Sequence, residues 1–236
     1  MIGLPARGTA IVTGGAGGIG QAVLARLAAD GFEALSWDLR PAGANSVAVD
    51  VTDAEALRVA AAAPRGPVRA LVVNAGILGP VARVWELEPE DVRRVIDTNL
   101  VSAFLTLRAV VPRMLANAGP DRGRIVLMSS VQAKEGTAGA GAYAAAKAGL
   151  IVLTKVLGKE LAGEGILVNA VTPTVVRTAM EREITPERRQ FLLDKIPLQR
   201  FAEVAEVAAL VSWLCGPECS FSTGAVFDLS GGRATS

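Results

Sequence analysis

Tyr143 is the single tyrosine of the chain, and Lys147 follows four positions later inside the helical pattern Ala142-Tyr-Ala-Ala-Ala-Lys-Ala-Gly-Leu150. At that spacing two side chains stack on one helix face. A free phenol titrates near pH 10, so a base at neutrality needs that value lowered by roughly 2–3 units, about 3–4 kcal/mol. One cation at about 4–5 Å, in an effective dielectric near 20, supplies a similar amount. The pair predicts proton transfer. The chain has no histidine, which removes the Ser–His–Asp triad, His-ligated zinc and any imidazole base together, and no metal is expected. Ser130 stands thirteen positions before Tyr143, at the end of an apolar run. Its hydroxyl there can donate to a substrate carbonyl or accept from a substrate hydroxyl. Ser129 is the competing serine and reads as pointing into packing.

A second set of residues points to a dinucleotide. Thr13-Gly-Gly-Ala-Gly-Gly-Ile-Gly20 follows one short apolar run and opens a helical one. Glycine there allows a tight turn, close approach of backbone to a pyrophosphate and close helix–strand packing. The run fits Gly15-x-Gly17-x-x-Gly20 and equally Gly14-x-x-x-Gly18-x-Gly20, with Ile19 inside it. Asp38 ends the next apolar run, eighteen positions past Gly20. A carboxylate at that place accepts from a free ribose 2′-hydroxyl and repels a 2′-phosphate, which selects NAD over NADP. Arg40 is the counter-argument, since a guanidinium could meet a phosphate. Asp50 could accept from an adenine amino group with Val51 beside it, or serve as a turn aspartate before Thr52-Asp53. Asn74-Ala75-Gly76 follows a fourth apolar run, with Asn74 either tying loop backbone together or touching the cofactor. A bound oxidised nicotinamide would further favour the Tyr143 phenolate.

These groups need elements to hold them. Thr9–Thr13, Phe32–Asp38, Ser46–Asp50, Ala70–Asn74, Arg124–Ser129, Leu167–Thr172 and Ala225–Leu229 read as seven short strands. Helical patterns through Ala29 and near 53–63, 89–117, 142–163 and 203–214 separate them. That alternation predicts an α/β fold: a single doubly wound Rossmann-type domain over 1–236, its seven-stranded sheet mostly parallel, with helices on both faces. No linker divides the chain, so the substrate pocket must come from the domain that binds the cofactor. Pro173–Arg200, irregular and carrying three prolines, is the candidate lid. Half the residues are hydrophobic, enough for a sizeable core, and 24 basic against 23 acidic residues leave a net charge of +1. No field of either sign exists to recruit nucleic acid or an anionic membrane. Cys215 and Cys219 match neither a disulfide framework nor a four-ligand zinc site and read as small apolar helix residues. The absence of a secretory h-region and of any uncharged apolar run of about 18 residues predicts a cytoplasmic protein without a membrane span.

Taken together, Thr13-Gly14-x-x-x-Gly18-x-Gly20, Asn74-Ala75-Gly76, Asn99, Ser130, Tyr143-x-x-x-Lys147 and Asn169-Ala-Val-Thr-Pro173 resemble the short-chain dehydrogenase/reductase family over essentially the whole chain. The resemblance implies a catalytic set of Asn99, Ser130, Tyr143 and Lys147, with Asn99 holding a water that relays protons to Lys147. Lys147 would also hold the nicotinamide ribose. It further implies cofactor contacts at Pro173, from the backbone of Val176 and from Thr178, and assembly of the long helices across two-fold axes into a tetramer. One departure stands out, because Thr174 follows Pro173 where the family usually has glycine.

The segments around Arg177 and at the C-terminus resemble NAD-linked dehydrogenases of sugars and 2-keto-3-deoxy sugar acids. Arg177 and Arg233 could clamp a substrate carboxylate, and Gln132 and Lys134 are polar candidates for the pocket wall. The expected reaction is therefore hydride exchange between a secondary alcohol or ketone and NAD. An NADPH-dependent 3-oxoacyl-thioester reductase and an idle NAD-binding regulator are the alternatives. Arg233, after two glycines, is expected either to fray or to reach a neighbouring subunit's crevice.

Overall fold

The computed structural model describes residues 7–178 and 185–234. In β1 (Thr9–Thr13) the side chains alternate between faces, and both faces are apolar. Ile11 enters one core cluster and Ala10 and Val12 the other. Such a strand is at home in the middle of a sheet covered on both sides. The same holds for β4 (Val68–Val73) and β5 (Gly123–Met128), whose residues are almost all buried. With β2 (Glu33–Asp38), β3 (Ser46–Ala48), β6 (Ile166–Pro173) and β9 (Val226–Leu229) they form a seven-stranded sheet in the order β3-β2-β1-β4-β5-β6-β9. Every pairing in it is parallel. A two-residue ladder of β7 (Val176–Arg177) and β8 (Ala202–Glu203) stands apart.

Parallel neighbours require crossovers, and the helices supply them. α2 (Ala54–Ala62), α4 (Ser102–Leu115) and α6 (Gly141–Leu161) cover one face, burying Leu57, Val110, Met114 and Leu150 against Ile11, Leu71 and Ile125. α1 (Gly18–Ala29) and α8 (Val204–Cys215) cover the other, where Val23, Leu27, Val207 and Val211 meet Val12, Val72 and Val126. α2 is capped by Asp53, which accepts from the Glu55 and Ala56 N–H groups at 2.8 and 3.1 Å. Asp50, by contrast, closes a turn on Thr52. The helical stretch expected over 89–117 is α3 (Pro89–Ile96) and α4 joined by one π turn, Asp97–Val101. α5 (Gln132–Glu135) and α7 (Pro186–Leu193) stand at the carboxyl ends of the strands.

Pro89–Leu115 and Gly141–Glu164 are long and apolar enough to cross a membrane by length and composition alone, but their inner stripes form the core on the sheet. Leu107, Met114, Leu150, Thr154 and Leu161 are therefore spent inside the subunit. Val101, Phe104, Val152 and Val156 are the large apolar side chains that the two helices leave exposed. Cys215 and Cys219 are buried and unpaired, and burial pushes the Cys215 thiol up to about 12.

Candidate active site

The strand order reverses at β1, which has β2 on one side and β4 on the other, and a crevice opens outside the carboxyl ends there. Its volume is about 590 Å³. Gly14, Gly17, Gly18, Ile19 and Gly20 form one wall. α1 begins at Gly18 with Gly17 as an N-cap that brings no side-chain acceptor, so its first N–H groups remain for an anion. A Cβ at Gly20 would lie 2.3 Å from the Gly14 carbonyl oxygen, so the chain can double back there only without one. Gly15 answers to packing, since its Cβ would meet the Ser36 side chain, whereas Gly14, Gly17, Gly18 and Gly20 line the crevice. The Ala16 N–H donates to Asp38 Oδ2 at 3.0 Å and the Arg40 N–H to Oδ1 at 3.0 Å, fixing the carboxylate at the crevice wall. The Arg40 side chain is not among the lining residues.

Asn74 ties loops together: its Nδ2 donates to the Thr13 and Gly14 carbonyls, and its own N–H donates to Thr13 Oγ1. Ala75 and Gly76 line the crevice beside it. Thr178 lines it too, its methyl close against Gly18. Asp50, Val51 and Val176 are not brought into the lining: Asp50 is exposed on its turn, and Val51 and Val176 are buried in the two cores.

Tyr143, Lys147 and Ser130 converge on the opposite wall. The Lys147 ammonium lies 5.7 Å from the Tyr143 ring centre and donates to the Met128 carbonyl at 2.7 Å. Burial lowers Lys147 to about 8. Burial also raises the Tyr143 phenol, against a smaller downward pull from its hydrogen bond with Ser130. The expected lowering by Lys147 is thus not seen: burial raises the phenol, and the ammonium is turned toward the Met128 carbonyl. Ser130 Oγ accepts from the Gln132 N–H at 3.2 Å, whereas Ser129 Oγ donates to the Lys147 carbonyl at 2.7 Å and is spent on packing. Asn99 sits in the π turn. Its Nδ2 donates to the Ile77 and Val95 carbonyls, and its Oδ1 accepts from the Ile77 N–H. It reaches Lys147 only across Gly76, whose missing Cβ would lie 2.3 Å from Asn99 Oδ1 and 3.3 Å from Lys147 Nζ.

The Arg177–Arg233 clamp does not form. Arg177 lies outside the crevice and pairs with Glu203 at 2.9 Å, because its short strand pairs with the one that carries Glu203. Arg233 lines its own subunit's crevice rather than fraying or reaching away. Its guanidinium donates through Nε and Nη2 to Glu135, and its side chain is only 4% exposed. Lys134 is paired with Asp228 at 3.4 Å. Gln132 lines the crevice, as do four residues that sequence reasoning placed only in a general way within a lid: Arg188, Phe191, Leu192 and Lys195, on and just after α7. Thr137 was missed altogether, with no local signal to mark it. Residues 179–184 of the expected lid lie outside the described residues. A second cavity of about 300 Å³, at the amino ends of the strands, is lined by Arg7, Arg69 and Arg124. The latter two are engaged with Asp121, and Arg124 also with the Cys219 carbonyl.

A family profile described as enoyl-(acyl carrier protein) reductase matches residues 14–234. A 2-dehydro-3-deoxy-L-rhamnonate dehydrogenase (NAD(+)) from Sphingomonas sp. (strain SKA58) is 43% identical, covering 96% of this chain and 95% of its own. The 3-oxoacyl-[acyl-carrier-protein] reductase FabG of Thermotoga maritima is 34% identical over 94% and 96% of the two chains. Among solved structures, the 3-ketoacyl-(acyl-carrier-protein) reductase from Brucella melitensis complexed with NADH superposes with a TM-score of 0.90 at 26% identity, covering 98% and 99%. Likeness of this extent, in sequence and in backbone alike, makes the chain a member of the short-chain dehydrogenase/reductase family.

Proposed function

We propose that this chain is an NAD(H)-dependent dehydrogenase of a hydroxylated sugar acid, such as a 2-keto-3-deoxy sugar acid, acting on a secondary alcohol or its ketone. The observation that carries the reading is the convergence of Ser130, Tyr143 and Lys147 in the same crevice as the glycine cradle and Asp38. The cradle fits a dinucleotide: uncapped N–H groups for a pyrophosphate, and a fixed carboxylate for two ribose hydroxyls. Gly14, Gly18, Gly20, Asp38, Ala75, Gly76 and Thr178 would hold NAD, and the bound nicotinamide accepts or returns the two electrons. Ser130 then holds the substrate oxygen. Tyr143 exchanges the proton with that oxygen, protonated and ready to donate when a ketone is reduced. Lys147, held on the Met128 carbonyl, opposes the phenolate left behind. The sugar-acid assignment draws on the Sphingomonas relative, a dehydrogenase of that class.

The test is a rate comparison across sugar acids, polyols, simple secondary alcohols and 3-oxoacyl thioesters, each with NAD(H) and NADP(H). The reading expects a sugar acid with NAD to be preferred by at least about tenfold, roughly 1.4 kcal/mol. Preference for a thioester with NADPH would replace it. We also propose that the enzyme works in the cytoplasm as a homo-oligomer, a tetramer, with no nucleic acid or membrane partner. The exposed Phe104, Val152 and Val156 supply the apolar surface for that assembly.

A further inference from the structure

Among the described residues, four buried side-chain polar atoms have no hydrogen-bond partner: Thr106 Oγ1, Gln132 Oε1, Thr137 Oγ1 and Thr174 Oγ1. Thr106 is a lone case within the helical layer. The other three line the catalytic crevice. Folded proteins seldom leave such groups unpaired, because desolvation without a partner is costly. Three of them around one cavity mark a place where a ligand supplies the partners. Gln132 is well placed for that. Its backbone N–H is tied to Ser130 Oγ, and both residues line the crevice. Thr174 occupies the position after Pro173, and its N–H is fixed by the Leu229 carbonyl at 3.1 Å.

Of the cations that line the crevice, Arg233 is neutralised by Glu135 and Lys147 donates to the Met128 carbonyl; Lys134 and Arg177, outside the lining, are paired with Asp228 and Glu203. Arg188 and Lys195 line the crevice and, among the described residues, have no carboxylate partner. Both instead flank the Phe191 ring, at 5.1 and 4.5 Å from its centre. α7 and the residues just after it therefore bring two cations without a carboxylate partner among the described residues, and an apolar ring, to the crevice wall. The segment behind it is anchored. A Cβ at Gly231 would lie 2.9 Å from Ile196 Cγ2, and the Leu198 N–H donates to the Gly231 carbonyl at 3.2 Å.

Building on the sugar-acid reading, we propose that Arg188 and Lys195 receive the substrate's carboxylate, while Gln132, Thr137 and Thr174 read its hydroxyls. Arg233 is then a positioning residue, holding through Glu135 the short helix that carries Gln132. The site selects a chain with an anionic end and hydroxyls between that end and the reacting carbon. It rejects acyl thioesters, whose apolar tails would leave the three polar atoms unpaired.

The test uses the full-length enzyme with NAD, a 2-keto-3-deoxy sugar acid and the primary amide of the same acid. Arg188→Gln/Lys195→Gln should lower kcat/KM for the acid ten- to hundredfold, mostly through KM. It should lower kcat/KM for the amide less than threefold and leave NAD affinity, read by tryptophan fluorescence, where it was. Arg188→Lys/Lys195→Arg should restore most of the loss. Thr137→Val should lower kcat/KM about five- to thirtyfold for the fully hydroxylated acid and less for an analogue lacking one hydroxyl. If the double variant keeps the acid-over-amide preference, or loses acid and amide alike, the subsite is wrong even though the sugar-acid reading stands. If the unaltered enzyme turns over only neutral alcohols or thioesters, both are wrong. A Thr174→Gly variant that weakens NAD binding and leaves substrate KM unchanged would move Thr174 from the substrate to the cofactor.

Discussion

Tyr143 stands out in the sequence as the proposed proton carrier, since no imidazole competes with it. Its electrostatics were not legible there, because they depend on how deeply α6 is covered. Tyr143→Phe should lower turnover at least about a hundredfold, within the range for a general acid or base, with NAD affinity little changed. Stopped-flow rates with substrate saturating would check it; activity within tenfold of the unaltered enzyme would leave the phenol without a role. Lys147 yields a prediction of opposite kind, on stability. Its folded value near 8 lies below the ordinary 10.5, so between those limits the unfolded chain binds the extra proton and stability rises with pH. Below about pH 8 the buried ammonium is carried at full cost. The gap in urea midpoint between Lys147→Met and the unaltered protein, both without cofactor, should shift in the latter's favour as pH rises from 8 to 10.5. A pH-independent gap would mean that Lys147 is not desolvated.

Among the elements, strands and long helices could be read from period and punctuation, and their bounds agree closely with the sequence reading. What could not be read is where side chains go once elements meet. Arg233 and Glu135 are 98 positions apart, and no local pattern joins them. Arg177 looks equivalent to Arg233 in the sequence, yet a two-residue ladder turns it toward Glu203. The π turn around Asn99 has no compositional mark either; it inserts where the Ile77 backbone must be met. The cradle permits a sharper test of element against ligand. Gly17→Ala adds a Cβ whose nearest neighbour, the Gly14 carbonyl, is 3.5 Å away, while at Gly20 the same atom comes to 2.3 Å. Gly20→Ala should therefore lower stability by about 1–3 kcal/mol as well as weaken NAD. Gly17→Ala should weaken NAD while changing the thermal midpoint little. Calorimetry and fluorescence titration separate the two; equal destabilisation would show that the cradle is held by packing alone.

At the scale of the whole molecule, the sequence predicted one α/β domain, and the structure is one sheet with a core on each face. The proposed assembly would rest on the outer helix faces, with Phe104, Val152 and Val156, because the inner stripes are consumed within the subunit. Light scattering at micromolar concentration should give a mass several times 24.3 kDa, and Phe104→Glu/Val152→Glu should reduce it. A monomeric mass for the unaltered chain would refute the assembly.

The all-parallel sheet has a consequence for how the chain reaches this state. No two neighbouring strands can be zipped by a hairpin: β1 must find β4 across a whole βαβ unit, and β6 must find β9 past α7 and α8. Ordering so much intervening chain before any pairing is rewarded makes the search slow. Refolding from denaturant should therefore run toward the milliseconds-to-seconds end of the range, through species that expose unpaired Val- and Ile-rich edges. Yield on dilution should fall with protein concentration, so a preparation that has lost activity can have lost it during this search, with its catalytic residues chemically intact.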